Sequence, residues 1–242
     1  MNLEVHMFFT KNKWVMDLVL SLAILVVGFE GGRMYESRAA QAGVATTGSA
    51  NCGNVGDVVA AGLDTPWSEL QEVSISDEVV PAWSYGPEDA ALVVDVYLDL
   101  QCPYSQEYLR TVFPKLVQMA EDGELQLVIH DYPLQFHENA MPAAQATRCA
   151  AGIGKYQEYV MALIEDPDAG NVEKAAREIG LDLDSLMACM QEQAEAVIED
   201  FAAGEGAGIT ATPTTVINGR AIAGALPWEV FERLFKEAKD EK

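Results

Sequence analysis

Four residues of this 242-residue chain carry a thiol: Cys52, Cys102, Cys149 and Cys189. Cys102 has the most informative neighbourhood, Asp99-Leu100-Gln101-Cys102-Pro103-Tyr104-Ser105. The apolar run Ala91 to Leu100 before it, interrupted by Asp95 and Asp99, reads as a strand. The stretch Gln106 to Glu121 after it has apolar residues at helical spacing. A thiol at that junction lies beside the unpaired N–H groups of a first helical turn, which favour an anion, here a thiolate. The thiolate is the nucleophile of disulfide exchange. Pro103 suits the first turn, where its missing N–H costs nothing. A dithiol site would have a second cysteine at position 105, and this chain has Ser105.

In this motif and in several segments that follow in order, the chain resembles the DsbA-like thioredoxin-fold oxidoreductases. The segments are Asp99-Leu100-Gln101-Cys102-Pro103-Tyr104, His130-Asp131-Tyr132-Pro133-Leu134, His137-Glu138-Asn139-Ala140-Met141, Ala146-Thr147-Arg148-Cys149-Ala150, Gly208 to Thr214, and Ile217-Asn218-Gly219. The resemblance covers roughly Gly86 to Leu234. It implies an α/β thioredoxin-like fold with a helical insertion. It also implies a cis proline at Thr212-Pro213, next to Cys102, where free backbone groups pair with a substrate strand. Implied partners are proteins bearing cysteines or disulfides, with a membrane or small-thiol redox partner. No cofactor and no metal are implied, and no His or Cys lies at ligand spacing. His130 and His137 read as structural or surface residues, because the resemblance gives them no catalytic role.

Ser105 has three readings: a natural monothiol site, an introduced trap for mixed disulfides, or a redox-dead relative. Dithiol members of the family often bury an acidic residue six positions before the first cysteine. Here that position is Val96, with Asp95 turned to the opposite face by strand alternation. Losing a costly buried carboxylate is expected where no second thiol needs it, which favours the natural monothiol site. Cys102 then forms mixed disulfides that are released by an outside thiol or by the substrate's own cysteine. That is isomerase- or reductase-like exchange. The rival reading is a non-catalytic binding or chaperone module that uses the proline-edged groove.

Cys149 and Cys189 fall on two helical segments. They are either two buried thiols or a disulfide, which the resemblance and an oxidising compartment favour. Cys52, in Ser49-Ala50-Asn51-Cys52-Gly53, stays open as a free thiol, an intermolecular bridge or a substitute resolving thiol on a flexible arm.

Fifteen Lys and Arg against 38 Asp and Glu give a net charge of −23. That excludes nucleic acid as a natural partner, since phosphates need basic groups. Half the residues are hydrophobic, enough for a sizeable core. Lys11 and Lys13 precede the apolar run Trp14 to Phe29, so residues 1–36 read as a membrane anchor with a cytoplasmic N-terminus, or as a cleaved signal segment. Either reading puts the rest outside the cytoplasm, tethered to the membrane or secreted. Residues 37–85 read as a tether and lead-in, the part up to Gly56 being rich in Ala, Gly, Ser and Thr and the part from Asp57 to Ser84 staying open, with a short helix plus an edge strand as one reading. Residues 86–242 read as the domain, with its helical insertion at about 137–205. Within it, Glu124 to His130 alternates as a strand, Asn139 to Ile164 and Asn171 to Phe201 are helical by period, and Asn218-Gly219 marks a hairpin turn. Pro227 opens a closing helix.

Overall fold

A computed structural model describes residues 51–52, 64–76 and 78–241. The expected anchor or signal segment and most of the tether lie outside the described residues. Among the described residues, no helix is long and apolar enough to cross a membrane.

The strands are β1 (Asn51–Cys52), β2 (Gln71–Glu72), β3 (Trp83–Tyr85), β4 (Leu92–Leu98), β5 (Leu125–Asp131), β6 (Ala211–Thr212), β7 (Thr214–Ile217) and β8 (Arg220–Ala223). The helices are α1 (Pro103–Thr111), α2 (Phe113–Glu121), α3 (Ala140–Gly152), α4 (Tyr156–Leu163), α5 (Val172–Glu178), α6 (Leu183–Gly206) and α7 (Trp228–Asp240). Six strands form one mixed sheet in the order β2-β8-β7-β4-β5-β3. β4 runs parallel to β5, as a helical crossover through α1 and α2 allows, and antiparallel to β7.

β4 is covered on both faces and is apolar throughout except at Asp95. Leu92, Val94, Val96 and Leu98 enter the larger core cluster with α1, α2 and α7, through Leu109, Leu116 and Phe231. Tyr97 turns the other way, into a smaller cluster with Tyr132, Leu134, Phe201 and Val216. There α6 comes so close that a Cβ on Gly204 would stand 2.9 Å from the Tyr97 ring and 3.0 Å from the Tyr132 ring, so only glycine fits. β7 and β8 form the expected hairpin. Asn218 (φ 45°) and Gly219 (φ 83°) supply the two left-handed residues that such a turn requires.

Two boundaries differ from the sequence reading. The helix expected from Gln106 to Glu121 is two helices, because Pro114 has no N–H to continue the ladder and the chain breaks at Val112. The segment Asn171 to Phe201 also breaks, at Gly180 (φ 74°), into α5 and α6, and α6 runs on to Gly206. The sheet reaches back before Gly86, with β3 pairing β5 and β2 pairing β8, and Trp67 is buried in the core. These lead-in strands are two and three residues long, too short to show a period.

The insertion is stapled by a disulfide between Cys149 on α3 and Cys189 on α6, Cα atoms 6.0 Å apart, 40 residues apart in sequence. A loop of that size restrains the unfolded chain by about 4 kcal/mol. Cys149→Ser is therefore expected to lower the melting temperature under oxidising conditions and to leave Cys102 alkylation unchanged. Equal melts would show that the staple adds nothing.

Candidate functional site

Cys102 is the N-cap residue of α1 (φ −67°, ψ 122°) and is fully buried. Its carbonyl accepts from the Gln106 N–H at 3.0 Å, and Pro103 follows at the helix start. Pro103 is exposed and Tyr104 half-buried. Ser105 is fully buried, and its Oγ accepts the Asp99 N–H at 3.4 Å. Its hydroxyl is thus engaged with the end of β4.

Asp99 organises the junction. Its carboxylate is fully buried. Oδ1 accepts the N–H groups of Gln101 (2.8 Å) and Cys102 (3.1 Å), a local turn that sets the backbone of the cysteine. Oδ2 accepts the Leu134 N–H and His137 Nδ1–H, each at 2.8 Å. Four donors satisfy the hydrogen-bonding needs of an acidic side chain buried away from water. This side chain also fixes the histidine: with Nδ1 donating to Asp99, the neutral ring leaves Nε2 as an acceptor.

The Thr212-Pro213 bond is cis, and the Cys102 Sγ lies 3.4 Å from the Thr212 carbonyl oxygen. The fold thus brings Cys102, Thr212 and Pro213 together from opposite ends of the domain. It adds a residue that the sequence left open. Cys52 is disulfide-bonded to Cys102, with Cα atoms 5.8 Å apart. β1 carries it along β6 as a short parallel ladder, Asn51 opposite Ala211 and Cys52 opposite Thr212. The cysteine of the 102–105 motif therefore does not stand alone.

His137 was expected to be structural or at the surface. In the structure it belongs to the site, its Nε2 3.8 Å from the Cys52 Sγ. Asp99 could have been read from its place three residues before Cys102, as a turn-capping acid. The His137 contact could not, because 38 residues separate it from Asp99 and 85 from Cys52. Phe136 is 60% exposed and meets His137 edge-on at 4.5 Å, an apolar side chain at the rim of the site. Among the described residues, no cluster of His, Cys, Asp or Glu could hold a metal ion.

A second polar group lies behind β4 and β5. His130 is buried, its Nδ1 2.7 Å from Asp200 and its Nε2 3.2 Å from Asp95, with the Tyr97 ring stacked on it at 4.5 Å. Arg148 pairs with Asp131 and, at 2.7 Å, with Asp200. Burial alone would lower the His130 pKa, but the Asp200 and Asp95 carboxylates outweigh it and bring it up to about 9. An unfolded histidine releases its proton near pH 6.5. The native state thus gains stability from His130 that is complete below pH 6.5 and is lost as pH rises through 9. Melts from pH 6 to 10 should fall for the wild type and flatten for His130→Gln. An equal fall in both would assign the effect to other groups.

The mixed sheet, with a cysteine at a helix N-terminus facing a cis-proline strand, defines a thioredoxin fold with a helical insertion. The chain belongs to the thioredoxin family, whose model, described as "Thioredoxin", matches residues 78–237. Among solved structures, the chain is similar to Wolbachia pipientis alpha-DsbA1, with a TM-score of 0.58, 19% identity, and 65% of this chain and 90% of that one covered. A thioredoxin-like oxidoreductase from Silicibacter pomeroyi gives 0.57, 24%, and coverage of 65% and 91%. Oxidised BdbD from Bacillus subtilis gives 0.57, 17%, and coverage of 71% and 98%. At such identities the likeness establishes the fold. Two curated relatives are Na(+)/H(+) antiporters NhaA. That of Herminiimonas arsenicoxydans is 29% identical over 145 residues, and one from Salinispora tropica is 28% identical over 141. The match spans 23% and 21% of their respective lengths.

Proposed function

We propose that this chain is a thiol–disulfide oxidoreductase that acts through Cys102 on cysteine-bearing proteins outside the cytoplasm, held at the membrane by residues 1–36. The observation that carries the reading is the seat of Cys102: a helix N-terminus, in a disulfide, 3.4 Å from the Thr212 carbonyl at the β6 edge. A sulfur found in a disulfide at such a position is in the state from which exchange starts. The helix N-terminus stabilises the thiolate that leaves or attacks. β6 already pairs an extended segment, β1, opposite Ala211 and Thr212, so this edge takes a strand beside Cys102, and exposed Phe136 offers such a strand an apolar contact. The two disulfides support an oxidising compartment, where such bonds persist. With Cys102 the only thiol within the 102–105 motif, mixed disulfides with substrates are its working intermediates. Isomerase- or reductase-like exchange follows, with a small thiol or a membrane partner resetting the site.

The test is the reactivity of reduced Cys102. Its alkylation rate across pH, and mixed disulfides with an oxidised cysteine peptide, would be followed in the wild type and in Cys102→Ser. Expected are thiolate-like alkylation at neutral pH and adducts that the variant lacks. A thiol no more reactive than a free cysteine, with no adduct formed, would overturn the reading and leave the groove as a binding module.

A further inference from the structure

We infer that Cys52 is the resolving thiol of this site, delivered from the N-terminal tether on the displaceable strand β1, with His137 as its proton acceptor. The inference rests on the exchange role of Cys102. It departs from a dithiol helix-start motif, because the second sulfur comes from 50 residues upstream.

Three observations converge. The position that would hold a resolving cysteine is filled by Ser105, whose buried hydroxyl is bonded to the Asp99 N–H. Cys52 is bonded to the Cys102 sulfur, carried there by the β1–β6 ladder, with Cys52 in register with Thr212. His137, held by Asp99 through Nδ1, turns its free Nε2 towards the Cys52 sulfur at 3.8 Å. A base aimed at one sulfur of a disulfide, and itself oriented by a carboxylate, is the arrangement that activates a nucleophilic thiol.

The reaction runs in two exchanges. The Cys102 thiolate attacks a substrate disulfide. The Cys102–substrate bond forms, the substrate S–S bond breaks, and the departing substrate sulfur takes a proton from water. Cys52 then attacks the Cys102 sulfur as its thiol proton passes to His137 Nε2. The Cys52–Cys102 bond forms and the mixed disulfide breaks. The second substrate sulfur leaves with the proton from His137. The substrate gains two electrons, and the two enzyme thiols lose them. A dithiol substrate drives the same steps in reverse, with His137 giving its proton to the leaving Cys52. In the oxidised state β1 covers the β6 edge at Thr212, so an incoming chain takes that edge only as β1 leaves it. Opening of the disulfide and exposure of the groove are then one event.

The experiment uses the full chain, mildly reduced so that peptide mapping finds Cys149–Cys189 intact, and mixed with the aromatic disulfide dithiobis(nitrobenzoate). In the wild type, two thionitrobenzoate ions should be released. The second should appear at a rate independent of reagent concentration, and mass mapping should end on Cys52–Cys102. Cys52→Ser should release one and retain the adduct on Cys102. His137→Ala should slow the second release at least tenfold and recover it in added imidazole, a readout that a packing role would not give. His137→Gln serves if the alanine variant fails to fold. Wild-type protein that ends with separate adducts on Cys52 and Cys102 would overturn the resolving role. A second phase unchanged in the His137 variants would overturn the proton transfer. Failure of the underlying reading looks different: in Cys52→Ser, Cys102 would take no adduct at all.

Discussion

Arg148→Met is expected to cost about 3–5 kcal/mol, the largest loss of stability among single substitutions away from the apolar core. Arg148 is buried, and it holds Asp131, Asp200 and the backbone carbonyls of Val80 and Pro81. It thereby ties α3 to α6, β5 and the lead-in. Three buried acidic side chains, Asp95, Asp131 and Asp200, share two basic partners, Arg148 and His130. Methionine keeps the volume and leaves Asp131 without its cation. In a domain of this size the loss corresponds to a fall in melting temperature on the order of 10 °C.

The loss should depend on pH in a definite sense. Burial already raises the Asp131 pKa, against the pull of Arg148. Without the guanidinium it rises further, so the native state binds a proton that the unfolded chain has already released. The gap between wild-type and Arg148→Met melts should therefore widen as pH rises above about 7, where wild-type Asp131 gives up its proton and the variant's keeps it. Arg148→Lys restores a charge without the fork and should fall between the two. A gap that is constant with pH would mean that the cost is packing, not an unpaired carboxylate.

The contrast between what sequence reading reached and what it missed follows from range. The strand–Cys102–helix junction, the alternation of Leu125, Leu127 and Ile129, and the Asn218-Gly219 turn are written in consecutive residues, and the structure has them all. Asp95 and Val96 also face opposite ways, with Asp95 on His130 and Val96 in the apolar cluster. Pro114 and Gly180 were visible too, but helical period ran through both positions and hid the breaks. The site's partners are another matter. Cys52, Asp99 and His137 meet only once β1 lies along β6 and the loop after β5 reaches Asp99. No spacing encodes such a meeting. Arg148 lies in one of the family-like segments and still gave no sign of the two carboxylates it meets, because one lies on β5 and one on α6. Lone titratable residues scattered through a chain read as surface until the fold gathers them.

Asp99→Asn should separate the two exchange steps. The carboxylate serves two pairs of donors: the Gln101 and Cys102 N–H groups on Oδ1, the Leu134 N–H and His137 on Oδ2. An amide has one oxygen. Turned towards Gln101 and Cys102 it preserves the turn that seats the cysteine, so the first thionitrobenzoate release should remain close to wild type. Its NH2 then faces Leu134 and His137. The Leu134 N–H loses its acceptor, at a cost of about 1–3 kcal/mol. The histidine can accept from the amide only by moving its proton from Nδ1 to Nε2, which makes it a donor towards Cys52 where an acceptor is needed. The second release should slow by about a hundredfold or more, within the range that a positioned base contributes. Added imidazole should not restore it, because the ring of His137 still occupies the place, and this sets the variant apart from His137→Ala. A second phase at the wild-type rate would mean that the carboxylate does not govern the histidine, and that Asp99 serves the fold of the junction alone.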